Sequence, residues 1–238
     1  MEWIADYALK EYELRVKHTN MYIRLKEAAA RVYNSDNYKK RGEIGEILLH
    51  AICRDFFGTL PFAPRVFYLT SSNDVVKSFD MVHVRYLGPQ FFEIWLGEAK
   101  FYKSSEEAIR AAIASIEAHI DQGFLRNEKL LLGPQVSKEI PRYQEIRDLF
   151  SVQTSLDALF KTAVFPVCIA CDSPAAALGG TNPERYVAGV AGELAAMATK
   201  ITASGLTQKI RIMLIYVPLG SKESLADAFD LRLKGLTP

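Results

Sequence analysis

The sequence contains no run of about 18 uncharged apolar residues, which removes a membrane-spanning helix from the candidate classes. Also missing is the basic start and apolar stretch of a secretory signal: the chain opens Met1-Glu2-Trp3-Ile4-Ala5-Asp6, so the expected location is the cytoplasm. Cysteine is scarce. Three in 238 residues is an odd count that argues against a disulfide framework and fits a reducing compartment. Cys168 and Cys171 have the spacing of a metal or redox pair, yet they lie in or beside the apolar run from Val164 to Ala170. With no second pair or histidine nearby, they read as buried strand residues. Surplus charge is lacking too: the net value is +1, so affinity for a phosphate backbone must be local or supplied by a partner. The short basic run Lys39-Lys40-Arg41 is the local candidate. Internal repeats and low-complexity linkers are absent, so residues 1–238 are expected to form one compact unit.

What is present is ordinary globular composition, 49% apolar and 24% charged, with a clear succession of elements. Residues 6–33 are free of glycine and proline and carry an imperfect apolar stripe, which predicts one long N-terminal helix. After Asn34-Ser35-Asp36-Asn37 a second helix is expected over 39–57, ended by Gly58. Three extended segments follow at 65–70, 79–86 and 91–102, the last two joined through Gly88-Pro89, and then a helix to about Gln122. Short helices are expected near 143–150 and 156–160, strands at 164–171 and 209–217, and helices at 183–202 and 221–233. The expected class is α/β, a mixed sheet flanked by helices. Its core spans about residues 39–122 plus the strand near 164–171, and the N-terminal helix is an addition.

Chemistry concentrates in a short span. Glu98 and Lys100 lie two apart on a strand and share a face, while Ala99 points away. Ile94 and Leu96 precede them on that face, so these charges emerge from an apolar surface. A hairpin centred on Pro89 sets Asp80 directly opposite Glu98, and cross-strand partners have Cβ atoms about 4.5–5.5 Å apart. Two carboxylates that close repel each other unless one holds a proton or a cation lies between them. On the preceding helix Glu43 and Glu46 share a face, within Gly42-Glu43-Ile44-Gly45-Glu46, where the glycines suggest close approach of another backbone or a ligand. His50, His83 and His119 read as satisfied polar residues, and Gly179-Gly180-Thr181-Asn182 as an ordinary turn.

A helix bearing Gly-Glu-Ile-Gly-Glu, then a strand aspartate, then Glu-Ala-Lys resembles the restriction-endonuclease-like PD-(D/E)xK nucleases. More narrowly, the segments Gly42 to His50, Ser78-Phe79-Asp80 and Gly97 to Tyr102 are similar to HamA, the nuclease family of the Hachiman antiphage defence systems. Phe79 stands where the pattern commonly has proline. The resemblance implies that Asp80 and Glu98 bind Mg²⁺, or Mn²⁺ in its place, and that the carbonyl of Ala99 adds a ligand. It further implies that Lys100 positions the attacking water and that Glu46, or in its place Glu43, completes the site. DNA is the implied substrate and a helicase of HamB type the implied partner. RNA cleavage, or a non-catalytic interaction module on the same fold, are the competing expectations.

Overall fold

The computed structural model describes residues 2–9, 20–32, 42–62, 79–178 and 183–236. The strand expected at 65–70, the basic run at 39–41 and the turn at 179–182 lie outside these described residues. Ten helices and five strands are described, in the order α1 (Glu2–Ala8), α2 (Met21–Val32), α3 (Glu43–Phe57), β1 (Leu60–Pro61), β2 (Met81–Tyr86) and β3 (Phe92–Tyr102), then α4 (Ser105–His119), α5 (Gln122–Leu132), α6 (Tyr143–Leu149), α7 (Leu156–Thr162) and β4 (Ala163–Asp172), and finally α8 (Pro174–Leu178), α9 (Pro183–Ala203), β5 (Ile212–Leu219) and α10 (Lys222–Lys234). None of these helices is long and apolar enough to cross a membrane.

The strands form one mixed sheet in the order β1-β2-β3-β4-β5, antiparallel as far as β3 and parallel from β3 to β5. The class is the α/β arrangement that the sequence predicts. Alternation along β3 divides the core. Ile94 and Leu96 join Val82, Val84, Val167 and Ile169 beneath Ala108, Ile109, Ala112 and Ile116 of α4. Trp95 and Ala99 turn to the opposite face, where Leu49 and Cys53 of α3 cover them. The same parity separates the cysteines. Cys168 packs on the α3 side and Cys171 on the α4 side, so they are buried strand residues and not a ligand pair.

The N-terminal helix expected over 6–33 is corrected by a backbone contact: Arg31 Nη1 donates to the carbonyl of Ala8 at 3.1 Å. One continuous helix would hold those residues roughly 34 Å apart, at 1.5 Å per residue. The chain instead folds α2 back against α1, and Ile4, Tyr7, Ala8 and Leu9 share a buried cluster with Ala28, Ala29 and Val32. Alanines at the crossing let the backbones approach, and the imperfect apolar stripe reflects two short faces. The helix after β3 ends at His119, close to the expected Gln122, and a further helix that the sequence pattern does not mark, α5, follows at once, with Asp121 accepting from the amides of Gly123 and Phe124 at its start. The last strand runs 212–219, later than the expected 209–217, because a 3₁₀ turn at Leu206–Gln208 comes first.

Two glycines allow α3 to lie close on the sheet. A Cβ at Gly45 would stand 3.1 Å from Phe101 Cβ, and one at Gly97 would stand 2.8 Å from Leu49 Cδ2 and 3.1 Å from Met81 Cβ. Gly42 meets nothing nearer than Glu46 Oε1 at 3.8 Å, so close approach explains Gly45 and not Gly42. Gly97→Ala is therefore expected to lower stability by about 1–3 kcal/mol through overpacking. Gly45→Ala should be closer to neutral, because a gain in helix propensity of about 1 kcal/mol opposes its clash. Denaturant midpoints of the two variants check the order, and an unchanged Gly97→Ala midpoint would refute the packing argument.

Candidate functional site

The β2–β3 hairpin brings the predicted strand residues together. Its register ends with Met81 opposite Gly97, and Asp80 stands just before the first paired residue of β2. The amide of Asp80 donates to the carbonyl of Gly97 at 2.9 Å, one residue off the register that pairs Gly97 with Met81, so Asp80 leaves the regular ladder in a bulge-like step. Asp80 is 9% exposed and Glu98 4%, so both acids are buried at this end of the hairpin. The Asp80 carboxylate accepts from the Ala99 amide at 2.8 Å. In a strand the N–H and C=O of one residue leave on the same side, so the Ala99 carbonyl also faces the edge beyond the end of β2.

Glu98 is surrounded by donors. Lys100 Nζ and Ser115 Oγ both donate to Oε1, the latter at 2.8 Å, and His119 Nδ1 lies 3.3 Å from Oε2. That last contact is close but poorly aligned, leaving Oε2 without a well-directed hydrogen bond. Burial pushes the Glu98 carboxyl up, but His119 and Lys100 outweigh it and hold the group below the ordinary carboxylate range. Burial pulls Lys100 down, yet Glu98 and then Asp80 more than offset this, and its amine stays above the ordinary lysine range. Glu98 therefore stands as a carboxylate and Lys100 as an ammonium.

Ser115 and His119 are participants that the sequence does not announce: His119 reads as a satisfied polar residue, and Ser115 sits in an alanine-rich helix with no motif around it. Their signal was spacing, since they fall four apart on the stripe of α4 that carries Ala108 and Ala112 into the core.

The helix acids are placed differently. α3 covers the face of the sheet opposite to α4, and half-buried Glu46 accepts a hydrogen bond from Tyr7 of α1. Glu43 is likewise half-buried on α3. Among the described residues no three His, Cys, Asp or Glu side chains gather closely enough to hold a metal ion. The strand pair still suits a hard divalent cation in kind. Mg²⁺ commonly takes only one or two protein carboxylates and fills its other positions with water and substrate oxygens. Asp80 and Glu98 supply two such groups, and Glu98 Oε2 has lone pairs not engaged by an aligned donor.

This geometry can be set beside known families. The family model described as HamA matches residues 1–233. The chain belongs to the HamA family. The match includes the α1–α2 pair and α9, β5 and most of α10 as well as the hairpin, so the family is defined over nearly the whole fold. Neither a search of curated proteins nor one of solved structures gave a match.

A second buried polar cluster lies on the other side of β2. His50 Nδ1 is 3.0 Å from His83 Nε2, and His83 Nδ1 is 2.7 Å from Thr59 Oγ1. Burial, reinforced by Arg54, lowers His50 from 6.5 to about 4, and burial with His50 as neighbour lowers His83 well below its usual value. Both rings fold neutral, whereas the unfolded chain binds their protons below about pH 6.5. The stability from this cluster is thus complete above that pH and falls as the medium is acidified towards pH 4. His50 alone contributes on the order of 3 kcal/mol over that window. Unfolding midpoints between pH 7.5 and 5 should decline, and less steeply in His50→Gln; parallel curves would remove His50 as the cause.

Proposed function

We propose that this chain is a Mg²⁺-dependent nuclease that hydrolyses DNA phosphodiester bonds, acting as the effector of a Hachiman antiphage defence complex. What supports the reading is the burial of Asp80 and Glu98 at one end of the β2–β3 hairpin, with Lys100 paired to Glu98 and Asp80 held on the Ala99 amide between them. Family membership supplies the defence context. A bound cation would lower the pKa of its water and offset charge building on the phosphate.

The chain's own residues divide the remaining work. Asp80 and Glu98 hold the cation, with the Ala99 carbonyl directed to the same open edge. Lys100 is kept as an ammonium by its two acidic neighbours, so its role is to orient the attacking water and to stabilise negative charge. It is not the base. Glu46 is the proposed helix carboxylate, with Glu43 as its substitute. Beyond Met81 no described strand pairs with β3 on the β2 side, and α3 crosses that stretch with Gly45 against Ala99 and Phe101. A side chain on α3 can reach the site around such an edge. Mn²⁺ is the expected substitute metal.

The near-neutral charge leaves few cations to displace counterions from a duplex, so delivery of DNA is assigned to a helicase partner of HamB type. The isolated chain should bind duplex DNA weakly at physiological salt and more tightly with that partner. Fluorescence anisotropy with and without it checks the claim, and tight salt-resistant binding by the lone chain contradicts it.

The catalytic reading is tested by substitution. Asp80→Ala, Glu98→Ala and Lys100→Ala should each reduce Mg²⁺-dependent cleavage of DNA by about a hundredfold or more, the scale on which loss of one directed charge acts. Glu46→Ala should fall further than Glu43→Ala. Full activity in Asp80→Ala or Glu98→Ala, or undiminished cutting in excess chelator, would sink the metal site. An RNA substrate run in parallel separates deoxyribonuclease from ribonuclease action.

A further inference from the structure

The environment of Glu98 contains more than the cation reading uses. Both of its oxygens are met from α4: Ser115 donates to Oε1 at 2.8 Å, and His119 Nδ1 stands 3.3 Å from Oε2. The two side chains are one helical turn apart, so one rigid element bonds the carboxylate through Ser115 and flanks its other oxygen with the His119 ring. His119 is itself immobilised. Its ring stacks on Phe124 with centroids 4.6 Å apart and planes 22° apart, and Phe79 meets it edge-on at 4.8 Å. Phe79 directly precedes Asp80, so one imidazole touches the Glu98 carboxylate and also the residue that introduces the opposing acid.

A purely structural role explains this poorly. The rest of the α4 stripe is alanine and isoleucine, and an apolar pair at these positions would pack the sheet without needing a partner. What the polar pair adds is orientation: Lys100 already compensates the charge of Glu98 from its own strand, while Ser115 and His119 fix the carboxylate's rotation from above. We infer that Ser115 and His119 are positioning residues that fix the rotation of the Glu98 carboxylate in the orientation a divalent cation requires. The inference rests on the metal reading of the Asp80–Glu98 pair and extends it to α4.

The test uses the full chain, Mn²⁺ as probe, and binding as well as cleavage. Outer partners of metal ligands typically contribute ten- to a hundredfold in affinity. Ser115→Ala and His119→Ala should therefore weaken Mn²⁺ binding, followed by electron paramagnetic resonance, by roughly tenfold or more each. His119→Asn keeps an N–H donor near the Nδ1 position and should recover most of the loss. Circular dichroism melts confirm that each variant is folded, and Ser115→Thr, which keeps the hydroxyl, covers the case in which an alanine variant does not fold. Alanine variants that bind Mn²⁺ like the wild type overturn the positioning role alone. So does a His119→Asn variant no better than His119→Ala. A wild-type chain that binds Mn²⁺ but cuts no nucleic acid overturns the nuclease reading alone, and one that binds no Mn²⁺ overturns both.

Discussion

A carboxylate buried in the middle of a sheet face is costly unless its charge is compensated, and the arrangement around Glu98 follows from that constraint. Uncompensated burial of an ion costs several kcal/mol even after relaxation. Here the compensation comes from three directions: Lys100 along the strand, Ser115 and His119 from the helix above. Each support in turn depends on packing. Lys100 shares Glu98's face because strands alternate, α4 is held down by Ala108, Ile109 and Ala112, and the His119 ring is fixed by Phe79 and Phe124. The site is thus part of the core and not a decoration on it.

The other face of the sheet has a different task. There α3 sits close because Gly45 and Gly97 present no Cβ, and small Ala99 lies between them. The residue between Glu98 and Lys100 is small because of the helix beneath it, while its backbone is engaged by Asp80. Side chain and main chain of Ala99 answer to opposite faces, which ties the packing of α3 to the placement of the acids.

Much of this was legible in the sequence because it depends on short-range periodicity. The hairpin centred on Pro89 follows from turn chemistry and alternation, and it fixes the β2–β3 register up to Met81 opposite Gly97 without tertiary information, though not the off-register step at Asp80. The strand at 163–172 was readable from its apolar run, and so was the burial of Cys168 and Cys171. What escaped detection depends on contacts between distant segments. Nothing local distinguishes one long helix from α1 folded against α2, since both satisfy the same propensities. The partnership of Ser115 and His119 with Glu98 was hidden because it requires knowing which face of α4 meets the sheet. The side of the sheet that α3 would cover, and with it the direction of Glu46, was equally beyond periodicity.

The parallel pairing of β3 with β4 has a kinetic consequence. Glu98 lies beside Val167, and between them the chain must first build α4 through α7. Neighbours so distant in sequence close a long loop before any contact rewards it, which slows folding. During synthesis the hairpin can form early, but the strand carrying Glu98 and Lys100 gains its second flank only once residues up to Asp172 have emerged. A nascent chain therefore carries these catalytic candidates on a half-paired strand, and assembly of the complete face is among its later folding events.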